Sequence, residues 1–272
     1  MSTEIETAVV AEESVKSCCA QLYESDYAKV LLGDSFHPGG LELTQRLGAV
    51  LHLNQESRVL DVASGKGTSA IHLAEAFGCE VVGVDYGSES VMRANEAAAA
   101  KGLSERVRFE VGDAENLAFD SSSFDAIICE CAFCTFPNKT TAAREFARVL
   151  KPEGRIGLSD LTRAGDLPKE LNTLLAWVAC IADAQPMERY VSLLVEAGFK
   201  VDCIEPHDDA LSEMVNQVRM KLLGAEIMVG LKKLELPNLN FAEAKQMASS
   251  SLQAIQQGKL GYAIVAGFLP QF

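Results

Sequence analysis

One short stretch of the sequence combines a carboxylate with a turn rich in small residues. It reads Asp61-Val62-Ala63-Ser64-Gly65-Lys66-Gly67, and it lies between an apolar run and the amphipathic pattern of residues 68–77. Because Ala63, Ser64 and the two glycines carry little bulk, the backbone amides of the turn can approach a ligand directly. A following helix adds unpaired N–H groups and the positive end of its dipole. A strand, a glycine turn and a helix predict a nucleotide-binding βαβ unit.

Three further acidic residues follow apolar runs and strengthen this interpretation, since the glycine motif alone is weak. Asp85 comes about twenty residues after the turn, where a carboxylate can accept hydrogen bonds from both ribose hydroxyls. Asp113 follows the run Val107–Val111, and Glu130 follows the run Phe124–Cys129. In an open α/β sheet, ligands bind outside the carboxyl ends of the strands. The acids are therefore predicted to surround one cofactor site.

This succession resembles the class I S-adenosylmethionine-dependent methyltransferases. The resemblance implies an α/β fold with a Rossmann-like sheet of seven strands, helices on both faces and an added helical cap. The last strand is expected to insert antiparallel. The cofactor would be S-adenosylmethionine, with its methionine moiety against Asp61 to Gly67, its ribose against Asp85 and its adenine edge against Asp113-Ala114. The full set of cofactor residues expected from the resemblance is Asp61, Ala63, Ser64, Gly65, Gly67, Asp85, Tyr86, Asp113, Ala114 and Glu130.

Several cysteine-bearing segments resemble the arsenite methyltransferases within this class. One runs from Cys129 to Phe133 and is followed by Pro137-Asn138-Lys139 and by the helix end and turn of residues 145–155. Another is Cys180-Ile181-Ala182-Asp183-Ala184, which precedes Ala197-Gly198-Phe199. The similarity covers roughly residues 12–206.

The arsenite resemblance implies an acceptor that is held by sulfur. Cys131 would lie at the carboxyl edge of the sheet, Cys180 would approach from the cap, and Cys18 or Cys19 from the N-terminal region. Adjacent helical residues point about 100° apart, so only one of that pair is expected to face the site. Trivalent arsenic has a lone pair and needs no general base, and thiolates are soft ligands that suit it. Methyl transfer to arsenite, methylarsenite or a related thiol-seeking metalloid is the predicted function.

Two departures from that family keep other functions open. The stretch Gly33–Pro38 carries no thiol where the family has one, and Asp183 replaces a glycine. The first alternative is a methyltransferase for a small organic acceptor, such as a quinone, phenol or amine, in which the cysteines pack the core. The second is a cofactor-binding thiol sensor without catalysis. His37 is either a base or hydrogen-bond donor for the substrate, or part of a structural loop.

The pair Cys131-x-x-Cys134 has two further interpretations that the sequence disfavours. A zinc site would need a second pair of Cys or His ligands at suitable spacing, which the sequence lacks. A redox-active Cys-x-x-Cys pair of the thioredoxin type normally lies at the start of a helix that follows a strand, in a different structural unit from this one. No metal site is therefore predicted. Cys79, Cys129 and Cys203 lie in or beside apparent strands and are expected to pack in the core.

Composition limits the classes of partner. The chain has 272 residues, 48% hydrophobic residues and a formal charge of −14, so nucleic acid and anionic membranes would repel it. No run approaches the roughly 18 apolar residues of a membrane span, and residues 1–17 do not resemble an export signal. Eight cysteines without such a signal indicate free thiols in the cytoplasm. A small molecule or metalloid is the expected partner, and the oligomeric state is open.

The elements that must position these residues follow from periodicity and turn residues. Strands are expected over residues 80–85 and 107–111. Ser88 is expected to be the N-cap of a helix that ends near Lys101, and residues 151–154 are an expected turn before a strand that starts at Arg155. A single domain is predicted over residues 1–272, without an internal repeat. Its expected parts are an N-terminal helical lid (1–55), a cofactor-binding core (56–206), a helical insertion (207–258) and a final strand (259–272).

Overall fold

The computed structural model describes Lys16, residues 37–168, Leu171, Ile181, residues 183–236 and residues 239–271. Cys18, Cys19 and Cys180, which are predicted to contact the substrate, lie outside these ranges. Most of the predicted helical lid also lies outside them.

Strands and helices alternate along most of the described chain. The strands are β1 (Arg58–Val62), β2 (Glu80–Asp85), β3 (Val107–Val111), β4 (Phe124–Glu130), β5 (Leu150–Arg163), β6 (Lys200–Pro206) and β7 (Leu260–Phe268). The α-helices are α1 (Gly40–Val50), α2 (Thr68–Phe77), α3 (Ser88–Ala100), α4 (Lys139–Val149), α5 (Met187–Glu196), α6 (Asp208–Gly230) and α7 (Phe241–Gln256). A short 3-10 turn covers Phe133–Thr135.

The strands form one seven-stranded sheet in the order β3-β2-β1-β4-β5-β7-β6. Neighbours from β3 to β5 are parallel, whereas β7 pairs antiparallel with both β5 and β6. The chain order reverses between β1 and β4, and such a switch point is where ligands bind in open α/β sheets. The predicted Rossmann-like sheet and its antiparallel last strand are confirmed.

Buried apolar residues explain why these segments form a central sheet. In β1, β2 and β4 nearly every residue is at least partly buried, as in parallel strands covered on both faces. Contacts join α1 to α2 and α4 to α5, so the covering helices form packed pairs. The helices α6 and α7 pack on each other and on β7, within the predicted insertion.

Two local predictions differ from the structure. Ser88 was the expected N-cap of α3, but Gly87 takes this position with extended backbone angles and Ser88 is the first helical residue. Residues 151–154 were an expected turn before β5, but the strand already begins at Leu150. Leu150 of β5 pairs with Phe124 of β4, and the next pair is Arg155 with Ala126. Four residues of β5 therefore lie opposite one residue of β4, and they form a bulge.

Two glycines let the cofactor turn lie close against the sheet. A Cβ added to Gly67, where φ is +77°, would lie 2.3 Å from Cζ of Phe109. A Cβ added to Gly83 would lie 2.2 Å from Cδ1 of the same ring and 2.7 Å from Oγ of Ser64. The ring of Phe109 therefore fills the space that side chains at both positions would need.

None of the described helices combines the length and the apolar character needed to cross a membrane.

Candidate cofactor and acceptor site

A cavity opens at the carboxyl ends of β1, β2, β3 and β4. All predicted cofactor residues except Gly67 line it, together with Cys131, His37 and Lys16. Gly67 lies at the N-cap of α2 in the left-handed conformation, one position before the helix begins. The sheet thus brings together residues from four separate strand ends, as the sequence predicted for one site.

Asp61 is a buried carboxylate with one oxygen that lacks a partner among the described residues. Its residue is 2% exposed, and Oδ2 accepts no hydrogen bond from the described atoms. Burial raises the pKa of Asp61 well above its ordinary value, and the negative charges of Glu130 and Asp85 raise it further. A hydrogen bond from the backbone of Ala70 in α2 acts in the opposite direction. A cationic ligand group at this oxygen would offset the cost of the buried charge.

The raised pKa of Asp61 gives a testable pH dependence. The folded protein keeps a proton that the unfolded chain releases above about pH 4, so this group makes the free energy of unfolding fall as the pH rises. Asp61→Asn is neutral at every pH and removes that contribution. We expect the cofactor-free variant to gain stability relative to the original protein in urea unfolding as the pH rises above about 4, the ordinary pKa of an Asp in the unfolded chain. Parallel stability curves for the two proteins would contradict the assignment.

Asp85 organises the turn across the cavity from Asp61. Its Oδ2 accepts a hydrogen bond from the backbone N–H of Gly65 (2.7 Å), and its Oδ1 accepts one from Gly87 (2.8 Å). The carboxylate therefore fixes the glycine turn and faces the cavity at the same time. An acid at the end of the second strand is where a ribose-binding carboxylate is expected.

Lys16 closes the side of the cavity where adenine is expected. Its Nζ donates to Oδ2 of Asp113 (2.8 Å) and to Oε2 of Glu115 (2.6 Å). Burial lowers the pKa of Lys16, but the hydrogen bonds and charges of the two carboxylates outweigh this and raise it overall. The sequence interpretation missed Lys16, because its two partners lie 97 and 99 positions further along the chain and such distant ion pairs leave no local pattern.

A buried polar network lies beside the end of β4. Oε2 of Glu130 accepts a hydrogen bond from Thr44 (3.0 Å), and Oε1 accepts one from Ser159 (3.3 Å). Nε2 of His37 lies 3.3 Å from the Thr44 hydroxyl and 3.7 Å from Glu130 Oε2. The hydroxyl of Tyr262 on β7 donates to the Ser159 carbonyl (3.0 Å) and lies 3.1 Å from its hydroxyl. The network joins α1, β4, β5 and β7.

Among the cysteines predicted to hold the methyl acceptor, Cys131 lies in the described part of the chain, and it lines the cavity. Its backbone is left-handed, with φ of 52°, and its N–H donates to the Ser159 carbonyl (2.7 Å). Residues other than glycine seldom adopt this conformation, and such outliers concentrate at functional sites. Burial raises the pKa of Tyr262, and the charges of Cys131 and Glu130 add to that shift.

The other described cysteines do not line the cavity. Cys79 and Cys129 are fully buried, and burial raises the pKa of both thiols, that of Cys79 to about 11. Cys134 is also fully buried, and Cys203 is partly buried on β6. Among the residues that the structure describes, no three His, Cys, Asp or Glu side chains are grouped to hold a metal ion.

The cavity fits S-adenosylmethionine in charge and in hydrogen-bonding groups. The unpartnered oxygen of Asp61 suits the cationic amino group of the methionine moiety, and the nearby Ser64 Oγ is also buried without a partner among the described atoms. Asp85 suits the ribose hydroxyls, and the segment after β3 lines the remaining side.

Comparison with protein-family models identifies one match. A model described as a methyltransferase domain matches residues 53–198, which include β1 to β5 and α5.

Curated relatives cover different shares of their own length. An uncharacterised protein of Haemophilus influenzae is 37% identical over 131 residues, which are 47% of this chain and 52% of that protein. The 27-O-demethylrifamycin SV methyltransferase of Amycolatopsis mediterranei is 27% identical over 84% of this chain and 83% of its own. The arsenite methyltransferase of Halobacterium salinarum is 30% identical over 56% of this chain but only 39% of its own. The chain thus spans about half the length of the first of these relatives.

A solved structure confirms the arrangement of the fold. Phosphoethanolamine N-methyltransferase 2 of Haemonchus contortus, in complex with S-adenosyl-L-methionine, superposes with a TM-score of 0.79. The two chains are 20% identical, and the match covers 94% of this chain and 60% of that one.

Proposed function

The chain belongs to the methyltransferase-domain family, with S-adenosylmethionine as its cofactor, and from this premise we propose that it methylates a small molecule. The observation that carries the proposal is a cavity at the ends of four strands, which collects Asp61, Asp85, Asp113 and Glu130. When bound, the cofactor supplies an electrophilic methyl group on a sulfonium sulfur. The protein has to hold this methyl group in line with a nucleophile and to exclude water.

The direct test is calorimetry with S-adenosylhomocysteine, followed by detection of its release from S-adenosylmethionine when an acceptor is added. Binding together with acceptor-dependent release would support a methyltransferase. Binding without release, with every acceptor offered, would leave the thiol sensor as the better description. Absence of binding would contradict the proposal altogether.

Trivalent arsenic or a related thiol-seeking metalloid is the first candidate acceptor. Its support is Cys131, a thiol that lines the cavity next to Glu130. Thiolates are soft ligands of the kind that such a centre prefers. The relative named as an arsenite methyltransferase adds support, although it matches over a limited share of its length. In this proposal Cys180 and one of the pair Cys18 and Cys19 would supply the remaining sulfur ligands.

Replacement of Cys131 by serine tests this acceptor. We expect arsenite affinity to fall by at least about tenfold, since losing even an outer partner of a metal ligand costs 10–100-fold. Calorimetry of arsenite binding to the reduced protein with S-adenosylhomocysteine measures the change. Cys203→Ser, on β6 away from the cavity, is the matched control and should bind arsenite normally. Unchanged arsenite binding and methylation by Cys131→Ser would rule out this role.

A small organic acceptor is the second candidate, and the network around Glu130 favours it. Oxygen nucleophiles carry a proton that must leave during methylation, and His37 and Glu130 at the cavity wall are groups that can receive protons. The rifamycin methyltransferase, which matches over most of both chains, adds support for an organic acceptor.

A further inference from the structure

The hydrogen bonds of His37 define which ring nitrogen carries a proton. Nδ1 lies 3.2 Å from the backbone carbonyl of Pro38, which can only accept a hydrogen bond. Nδ1 is therefore the protonated nitrogen of the neutral ring, and Nε2 presents its lone pair.

The groups around Nε2 leave this lone pair available. The Thr44 hydroxyl has one proton, which it donates to Glu130, so it cannot also donate to His37. The Ser69 hydroxyl lies 3.5 Å from Nε2, at the long limit of a hydrogen bond. His37 itself is buried and lines the cavity. His37 therefore forms part of the wall of the cavity in which an acceptor would lie.

Glu130 is placed to stabilise positive charge on that ring. Its Oε2 lies 3.7 Å from Nε2, and its side chain is only 4% exposed, so solvent screens the pair weakly. Thr44 and Ser159 hold its two oxygens in place. A carboxylate this close to the nitrogen that takes the proton stabilises the resulting imidazolium, since an opposite charge within about 4–6 Å favours the charged form.

The cavity next to this pair has apolar walls. Ala132, Phe136 and Pro137, which follow β4, line the same cavity as His37. Such a surface suits the ring of a phenol rather than a strongly hydrated acceptor.

We propose that His37 is the proton acceptor for a phenolic substrate, with Glu130 and Thr44 as positioning residues. The inference rests on the organic-acceptor form of the proposed function. In the step, an oxygen lone pair forms a bond to the methyl carbon, and the carbon–sulfur bond breaks with its electron pair passing to sulfur. The hydroxyl proton passes to Nε2 of His37, and Glu130 stabilises the imidazolium. The products are a methyl ether and S-adenosylhomocysteine.

The charged groups near His37 come from several elements. Glu130 of β4 faces the ring directly, whereas the neighbours from α1 and α2 are the neutral hydroxyls of Thr44 and Ser69. Asp61, Asp85 and Lys16 line the same cavity. A pH profile of the reaction therefore reports on His37 only when compared with a variant that lacks it.

The test compares catechol with 4-nitrocatechol, whose nitro group makes a hydroxyl much more acidic. In single-turnover assays near neutral pH, His37→Asn should slow methylation of catechol by about 100-fold or more, the usual effect of losing a general base. With 4-nitrocatechol above neutral pH, where the acceptor is already ionised, the loss should be less than about tenfold. The absorbance of 4-nitrocatechol bound with S-adenosylhomocysteine gives a second readout without turnover. It should show less phenolate in the variant than in the original protein.

Two controls keep the result interpretable. His52→Asn changes an exposed histidine at a left-handed position outside the cavity and should leave both reactions unchanged. Calorimetry with S-adenosylhomocysteine verifies that His37→Asn still folds and binds. Equal loss with the two phenols, or an original protein that methylates arsenite but neither phenol, would overturn the role of His37. In the second case the methyltransferase function would stand, whereas failure to bind S-adenosylhomocysteine would remove both proposals.

Discussion

Asp85→Ala is expected to weaken S-adenosylhomocysteine binding by about 3 kcal/mol, roughly a hundredfold in Kd, because each hydrogen bond to a charged group contributes about 1.5–3 kcal/mol. The variant loses two proposed acceptors for the ribose hydroxyls. It also loses the anchor for the N–H groups of Gly65 and Gly87, so the glycine turn is less well ordered before binding. Calorimetry at constant pH and salt measures the change.

The control for Asp85 separates a local effect from a general loss of charge. Asp166→Ala removes a carboxylate from an exposed loop and should bind the cofactor product normally. Asp85→Asn keeps the size of the side chain and one acceptor oxygen, so its affinity for S-adenosylhomocysteine should lie between those of Asp85→Ala and Asp166→Ala. An Asp85→Ala variant with unchanged affinity would place the ribose elsewhere and would remove the main support for the proposed cofactor orientation.

Gly67→Ala is expected to lower the free energy of unfolding by about 3 kcal/mol, from about 1–2 kcal/mol of left-handed backbone strain and about 1–3 kcal/mol of overpacking. The new Cβ would lie 2.3 Å from the Phe109 ring and 3.0 Å from the Cβ of Ala94. Both neighbours are buried, and the Phe109 ring also fills the space beside Gly83, so neither side chain has room to shift. Urea unfolding measures the loss.

Gly258→Ala isolates the backbone part of that effect. Gly258 also has a left-handed backbone, with φ of +66°, but no atom lies within 4 Å of its added Cβ. We expect this variant to lose only the strain of about 1–2 kcal/mol. Equal destabilisation of the two variants would mean that the contact with Phe109 contributes nothing.

The sequence predicted the sheet well because its signals are local. The bounds of β2 and β3 agree with the predicted runs, since apolar segments between turn residues need no distant partner to be recognised. The prediction of Ser88 as the N-cap was wrong, because residue preference alone does not distinguish the N-cap from the first helical position. The backbone angles decide it: Gly87 is extended and Ser88 is already helical. The bulge before Arg155 depends on pairing with β4, which the local sequence does not encode.

The candidate site was predicted only where strand ends define it. Asp61 and Asp85 follow from the alternation of strands and helices, because parallel strands end at one edge. The approach of Lys16 to Asp113 and of Tyr262 to Ser159 joins segments about a hundred residues apart, and no periodicity signals such contacts. The left-handed backbone of Cys131 is likewise set by the turn after β4 and by its bond to the Ser159 carbonyl.

The start of α6 and the start of β7 are joined by two hydrogen bonds. The N–H of His207 donates to the carbonyl of Tyr262 (2.7 Å), and Oδ1 of Asp208 accepts a hydrogen bond from the N–H of Tyr262 (3.0 Å). These bonds hold the start of α6 against the strand that follows α7. Tyr262, which makes both of them through its backbone, also donates its hydroxyl to the Ser159 carbonyl. Replacing residues 209–259 would therefore exchange most of α6 and all of α7 while His207, Asp208 and Tyr262 keep both hydrogen bonds.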